Sequence, residues 1–222
     1  MGVGHGGSDP GATGNGLRES DVNLQIALRL KDELEGCGVA VGISRTRDED
    51  DTTNEEVREC NAYDPDYACD IHTNAGGGTG FEAYCSINGG KGRTLAENIS
   101  AAMVAAGYKS RGVKTKKGKN GDYYGFIRGT NCPAVILECA FIDSQDYKNI
   151  DSADDYAKIA KAYAKGICKT LGIAYKGVNK MTVSEAKQIV RKKAGLDEIT
   201  IEFLSMYKYG DSLFLKLAQA LE

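Results

Sequence analysis

Two histidines, His5 and His72, are the whole imidazole complement of this 222-residue chain, and each sits among small or polar neighbours. His5 lies in Gly4-His5-Gly6-Gly7-Ser8, and His72 opens His72-Thr73-Asn74-Ala75-Gly76. Such neighbours leave room for a ligand or a metal ion to approach. A single histidine is more often a structural residue than a ligand, and no HExxH or HxH spacing ties these two together locally. Two imidazoles and one carboxylate drawn from different loops would nonetheless make the ligand set of a catalytic zinc, with a fourth position left for water. Spacing alone does not choose that carboxylate among the 31 acidic residues.

The elements that must position these groups follow from periodicity. The Gly/Ser/Asp/Pro stretch 5–16 reads as a loop. After it, Ser20 or Asp21 is expected to cap a helix in which Val22, Ile26, Leu30 and Leu34 form an apolar row, stopped by Gly36 and Gly38. Short strands are expected at residues 39–43, 67–71, 81–87 and 134–137. Helices are expected following a loop at 50–61, over the Ala-rich 94–106, and over 151–171 with Tyr156, Ile159, Ala160, Tyr163 and Ile167 on one face. Residues 109–120 read as a basic loop. Strands alternating with helices imply an α/β domain with a mostly parallel sheet flanked by helices. His72 and Glu138 each fall where an expected strand gives out. Ligands of such sheets bind outside the strand carboxyl ends, so both residues are expected on one rim.

Residues 174–180 read as a linker. Beyond it, Thr182-Val183-Ser184-Glu185 has the form of a capping box. Helices over residues 199–207 and 212–221 complete a small helical appendage. The domains expected are therefore 1–175 and 181–222, the second having wall binding, self-association or plain packing as its candidate roles. Net charge is −3, divided as +2 over residues 176–222 and −5 over the rest, too small an asymmetry to imply nucleic acid. No run approaches eighteen apolar residues, so no membrane span is expected. The N-terminus shows neither a basic n-region nor an apolar h-region. No signal peptide is therefore visible, which suits release by phage-type lysis or a leader already removed. Seven cysteines without a CxxC are expected to be buried free thiols, pointing to a reducing compartment for folding.

Several ordered blocks carry a resemblance. Gly4-His5-Gly6-Gly7-Ser8-Asp9-Pro10-Gly11-Ala12 and Gly16-Leu17-Arg18-Glu19-Ser20 come first. Ser44-Arg45-Thr46-Arg47-Asp48, then Arg58 with Asn61-Ala62, then Cys69-Asp70-Ile71-His72-Thr73-Asn74-Ala75 and Gly80-Phe81-Glu82 follow. Pro133-Ala134-Val135-Ile136-Leu137-Glu138-Cys139-Ala140-Phe141 is the last. In this order they resemble the N-acetylmuramoyl-L-alanine amidases of the amidase 3 type, over about residues 2–172. The resemblance implies His5, Glu19 and His72 as ligands of Zn2+, and Glu138 as the catalytic carboxylate. It implies peptidoglycan as substrate, cut between the lactyl group of N-acetylmuramic acid and L-alanine, with action on the cell wall. Asn74 and Glu82 stand as candidate substrate contacts. A zinc peptidase acting within the stem peptide and a non-catalytic wall-binding protein are the rival readings. Where the family has an apolar first strand, only Met1-Gly2-Val3 precede Gly4-His5; Val3 stands in place of a proline, and Ala140 in place of a glycine. Cys139 invites a thiol mechanism, but no third histidine exists to activate it.

Overall fold

A computed structural model describes residues 1–177, 183–206 and 210–221. The chain divides into two compact units, Met1–Val178 and Asn179–Glu222. The first unit contains, in order, β1 (Gly2–Val3), β2 (Thr13–Gly14), β3 (Leu17–Arg18), α1 (Glu19–Glu35), α2 (Thr53–Tyr63), β4 (Ala68–Asn74) and β5 (Phe81–Cys85). It continues with α3 (Gly90–Ala105), β6 (Ser110–Lys114), β7 (Lys117–Gly118), β8 (Gly121–Asp122), α4 (Gly125–Gly129), β9 (Ala134–Phe141) and α5 (Ala153–Leu171).

Five strands form one sheet in the order β1-β4-β9-β5-β6. All neighbours in it run parallel except the antiparallel pair β5/β9. The α/β expectation holds, with this one reversal making the sheet mixed. β4 and β9 lie inside the sheet, and β9 is buried along almost its whole length, which explains its nearly unbroken apolar run. One face carries Val3, Ile71, Ala83, Val135 and Leu137, packed with Leu30 of α1, Ile99 of α3 and Tyr163 of α5 into the main core. Side chains alternate along a strand, so the polar interruptions Asp70, His72 and Asn74 of β4 share the opposite face. Ala68, Ala134, Cys60 of α2 and Phe126 of α4 cover one end of that face.

Several local expectations are corrected. Residues 39–43 form no strand; the chain there is held by Met1, whose amino group donates to the Gly42 carbonyl (2.8 Å) and whose carbonyl accepts from Ser44 (3.0 Å). Neither Ser20 nor Asp21 caps α1, which begins at Glu19 with Arg18 at its N-cap. The stretch 109–120 is not a loop throughout: Ser110–Lys114 pairs with β5 as β6, and Lys117–Gly118 pairs with Gly121–Asp122. Glycine and basic residues hid the strand because β6 is an edge strand, partly exposed along its length. His72 and Glu138 lie within β4 and β9 rather than beyond their ends.

The second unit holds α6 (Val183–Ala194), α7 (Glu198–Ser205) and α8 (Gly210–Leu221), with Ala186, Val190, Phe214 and Ala218 as its buried centre. Asp197 caps α7 by accepting from the Thr200 amide at 2.7 Å. The expected capping box needs Thr182 and the Glu185 side chain, which lie outside the described residues, as do residues 178–180 of the expected linker and Tyr207. Among the described residues no helix is long and apolar enough to cross a membrane. All seven cysteines are free, five of them buried and Cys37 and Cys132 half-buried.

Candidate metal and acid–base centre

Three side chains from three separate elements converge at the open end of the sheet face. His72 projects from β4, Glu19 begins α1, and His5 stands in the loop after β1 in a left-handed conformation with φ 65°. A non-glycine residue held there is strained, and such strain concentrates at functional sites. Glu19 is buried and bridges the two rings: Oε1 lies 3.0 Å from His72 Nδ1, and Oε2 lies 3.3 Å from His5 Nε2. Backbone amides of Thr73 (3.0 Å) and Ala12 (2.8 Å) donate to the same two oxygens, fixing the carboxylate between the rings. One donor atom from each of His5, Glu19 and His72 lies within 4.8 Å of the others.

The scaffold leaves little freedom. A Cβ at Gly4 would stand 2.2 Å from His72 Cε1, so only glycine lets the strand pass the imidazole. Arg45 is buried and gives its guanidinium to main-chain carbonyls: Val3 (3.0 Å), Gly4 (3.3 Å), Ser20 (2.8 Å) and Arg47 (3.2 Å). It thereby ties the His5 loop to the first turn of α1. Asn23 adds a second tie, donating to Gly4 at 3.0 Å and accepting from the Thr73 hydroxyl at 2.8 Å.

Each imidazole has its outer nitrogen on a carboxylate. His5 Nδ1 meets Asp9 Oδ2 at 2.7 Å, and His72 Nε2 meets Asp70 Oδ2 at 3.1 Å. Such outer contacts orient metal-ligating histidines and raise their basicity. Asp9 is exposed, whereas Asp70 is buried, with its Oδ1 lacking a hydrogen-bond partner among the described residues. Burial opposes the charge on Glu19, yet bonds from both histidines overcome it and hold its carboxyl far below the usual range. The Glu19 contact raises His5; for His72, burial works against protonation, and Asp70 and Glu19 more than reverse it. These contacts describe a strongly anionic pocket wall meeting two basic nitrogens, which suits a divalent cation. The 3.0 and 3.3 Å contacts are made through different Glu19 oxygens, and one donor atom from each residue lies within 4.8 Å of the others, about the spacing that a shared metal ion needs. The donor set therefore fits the metal.

Glu138 occupies the neighbouring strand in register with His72. Burial first, then the nearby Glu19 and Asp70 carboxylates, push its pKa up to about 7 against the counter-pull of His72. Its Oε2 is buried with no hydrogen-bond partner among the described residues. A buried carboxylate with an orphaned oxygen and a near-neutral pKa is equipped to exchange protons at physiological pH. Glu82 on β5 continues the row opposite Glu138. It is 2% exposed and accepts from Arg111, Lys114, Tyr84 and Asn74, so Asn74 and Glu82 meet each other. Cys139 points into the core, bonds to Thr73 at 3.3 Å, and burial pushes its thiol up to about 12, removing it as a nucleophile.

Sequence reasoning missed Arg45 and Asp70 as individual parts of this site, while Arg111 and Lys114 were visible in it only as members of a basic loop able to attract carboxylates. Asp70 had a signal: a carboxylate inside an apolar strand, two residues before His72, must share the histidine's face.

Comparison with known proteins places the chain in a family. Residues 2–169 match the N-acetylmuramoyl-L-alanine amidase family. A sporulation-specific N-acetylmuramoyl-L-alanine amidase of Bacillus subtilis is 37% identical over 169 residues, 74% of this chain and 64% of that protein. The N-acetylmuramoyl-L-alanine amidase CwlM of Bacillus licheniformis is 32% identical over 219 residues, 94% of this chain and 83% of its own length. The crystal structure of an N-acetylmuramoyl-L-alanine amidase from Clostridium difficile 630 superposes with a TM-score of 0.70 at 26% identity, covering 77% of this chain and 94% of that one. This chain thus spans a little under two thirds of the sporulation amidase. With the match running through β1, α1, β4 and β9, the four elements that carry the cluster, the chain belongs to the N-acetylmuramoyl-L-alanine amidase family.

Proposed function

We propose that this chain hydrolyses the amide joining the lactyl group of N-acetylmuramic acid to L-alanine in peptidoglycan, acting at the cell wall. Residues 1–175 carry the catalysis, with His5, Glu19 and His72 holding Zn2+ and Glu138 transferring protons. The observation that carries the reading is the convergence of His5, Glu19 and His72 with Glu138 one strand away. The donor set of two imidazoles and one carboxylate leaves coordination positions open, the mark of a catalytic rather than a structural zinc.

Zinc held there supplies a Lewis acid that polarises the scissile carbonyl and acidifies water. The protein's own part is proton management. Glu138, ionised, takes a proton from the attacking water and returns it to the departing L-alanine nitrogen. Burial pushes its carboxyl above the ordinary range, which suits a group that takes a proton and then returns it. Asp9 and Asp70 keep the two imidazoles facing inward, and Arg45 holds the loop that presents His5. Residues 181–222 form an accessory unit, in which Ile199, Phe203 and Met206 of the α7 region expose an apolar stripe.

The test is metal dependence. Chelator-treated protein should lose its release of soluble fragments from dye-labelled peptidoglycan, and stoichiometric zinc should restore it. Release that persists in the fully stripped protein would remove zinc from the account.

A further inference from the structure

The basic edge of the site holds a feature that proton transfer at Glu138 does not use. Glu82 is buried, and all its acceptor capacity is directed at neighbours: Oε1 takes Arg111 Nε and Lys114 Nζ (2.5 Å), while Oε2 takes the Tyr84 hydroxyl (3.0 Å) and Asn74 Nδ2 (3.2 Å). One carboxylate facing two cations leaves the cluster with a surplus positive charge. Arg111 and Lys114 are 38% and 34% exposed, so their remaining donors face solvent. The Arg111 guanidinium also lies 5.2 Å over the Phe141 ring, and its Nη groups have no partner among the described residues. Anchored at Nε and stacked on a ring, it presents a free, oriented fork, the geometry that takes a carboxylate in two parallel hydrogen bonds.

Position matters as much as charge. His72, Glu138 and Glu82 are aligned across β4, β9 and β5. Strands are spaced about 4.8 Å apart, so the cations clasping Glu82 stand roughly 10 Å from the strand of His72. An extended peptide covers about 3.3–3.6 Å per residue, which brings them within two to three residues of a bond cut beside His72.

We propose that Arg111 and Lys114, held in place by Glu82, form a subsite for a carboxylate on the peptide side of the substrate, one residue beyond the alanine whose amide is cut. The inference rests on the amidase reading above. In stem peptides that position is a γ-linked D-glutamyl unit whose α-group is a free carboxylate or an amide, so the subsite discriminates between wall chemistries. Glu82 is then a positioning residue, and Arg111 and Lys114 make the contact.

The test uses the full-length zinc-loaded protein and two soluble muramoyl peptides that differ only in carrying an α-carboxylate or an α-carboxamide on the D-glutamyl unit. The carboxylate substrate is expected to have the higher kcat/KM by ~10-fold or more, residing in KM, the size of one charged hydrogen-bonded contact. Arg111→Gln and Lys114→Gln keep a donor for Glu82 without the charge and should bring the ratio towards one. Arg111→Lys should recover part of it. Equal wild-type rates on both substrates, or variants that slow both alike, would overturn the subsite while leaving the amidase reading intact. If neither substrate is cut, the amidase reading fails, and NMR titration with L-alanyl-γ-D-glutamate and its α-amide decides the subsite. Arg111-dependent preference for the carboxylate would support it, and equal binding would overturn it.

Discussion

Replacing Asp70 by asparagine should weaken zinc binding far more than the same change at Asp9, although both carboxylates do the same job. Each accepts from the outer nitrogen of a histidine proposed to hold the metal, Asp9 at 2.7 Å and Asp70 at 3.1 Å. Distance alone would make Asp9 the stronger partner. Environment reverses the order: the Asp9 side chain is 66% exposed and the Asp70 side chain 3%. Exposed ion pairs contribute about 0.2–1 kcal/mol, a factor of roughly five at most. Outer partners of metal-ligating histidines cost about 10–100-fold in affinity when lost, or ~1.4–2.7 kcal/mol. Asp70→Asn keeps the shape and removes the charge that supports His72 Nδ1 as a ligand. Asp70 also favours the protonated imidazole, which competes with metal, so affinity should be measured at pH 8, where protons compete least. Competition against a chromogenic chelator gives the number, with cooperative thermal unfolding as the check on folding. Asp70→Asn within about twofold of wild type, or Asp9→Asn losing as much as Asp70→Asn, would refute the burial argument.

Three further outcomes follow from the geometry. Gly4→Ala puts a methyl 2.2 Å from the His72 ring, so zinc affinity should fall at least tenfold by the same chelator competition, a displaced ligand costing more than ~1.4 kcal/mol. Arg45→Met removes the guanidinium from four carbonyls, of which Gly4 keeps its bond from Asn23, and should cost on the order of 3 kcal/mol in urea unfolding, with a loss under ~1 kcal/mol counting against the role given to Arg45. In metal-free protein, burial raises the Glu138 pKa from 4.5 to about 7, so the folded state holds this proton more tightly than the unfolded one. The contribution is full below pH 4.5 and lost as pH rises through 7, amounting to roughly 3 kcal/mol at most, and Glu138→Gln should flatten that part of the stability–pH curve. An unchanged slope between pH 5 and 8 would contradict it.

The site was legible because its key groups are chemically scarce. Two histidines in small-residue settings could be picked out by type, and the ordered blocks around Glu19, His72 and Glu138 supplied the partners. β9 was readable because a strand covered on both faces is apolar almost throughout, and β4 because its first residues are buried and apolar apart from Asp70. The expected strand at 39–43 failed because Val39 and Val41 pack against the core without a neighbouring strand to pair with. β6 was hidden for the opposite reason: edge position and the clasp on Glu82 permit Arg111, Gly112 and Lys114 in a strand. Arg45 was unreadable as a buried residue, since arginine is rarely buried and its partners, four carbonyls distant in sequence or conformation, leave no side-chain pattern. Asp70 lay in plain view two residues from His72, and strand alternation was sufficient to assign it to the metal face.

The account stands most directly on the identity of the bond that is cut. Purified peptidoglycan should be digested with zinc-loaded protein and, in parallel, with Glu138→Ala, and the products identified by mass spectrometry. The account predicts muramoyl residues with free lactyl carboxyl groups and stem peptides beginning at L-alanine, with both lost in the variant. Cuts within the stem peptide, or no new ends from a protein that binds both zinc and wall, would contradict it.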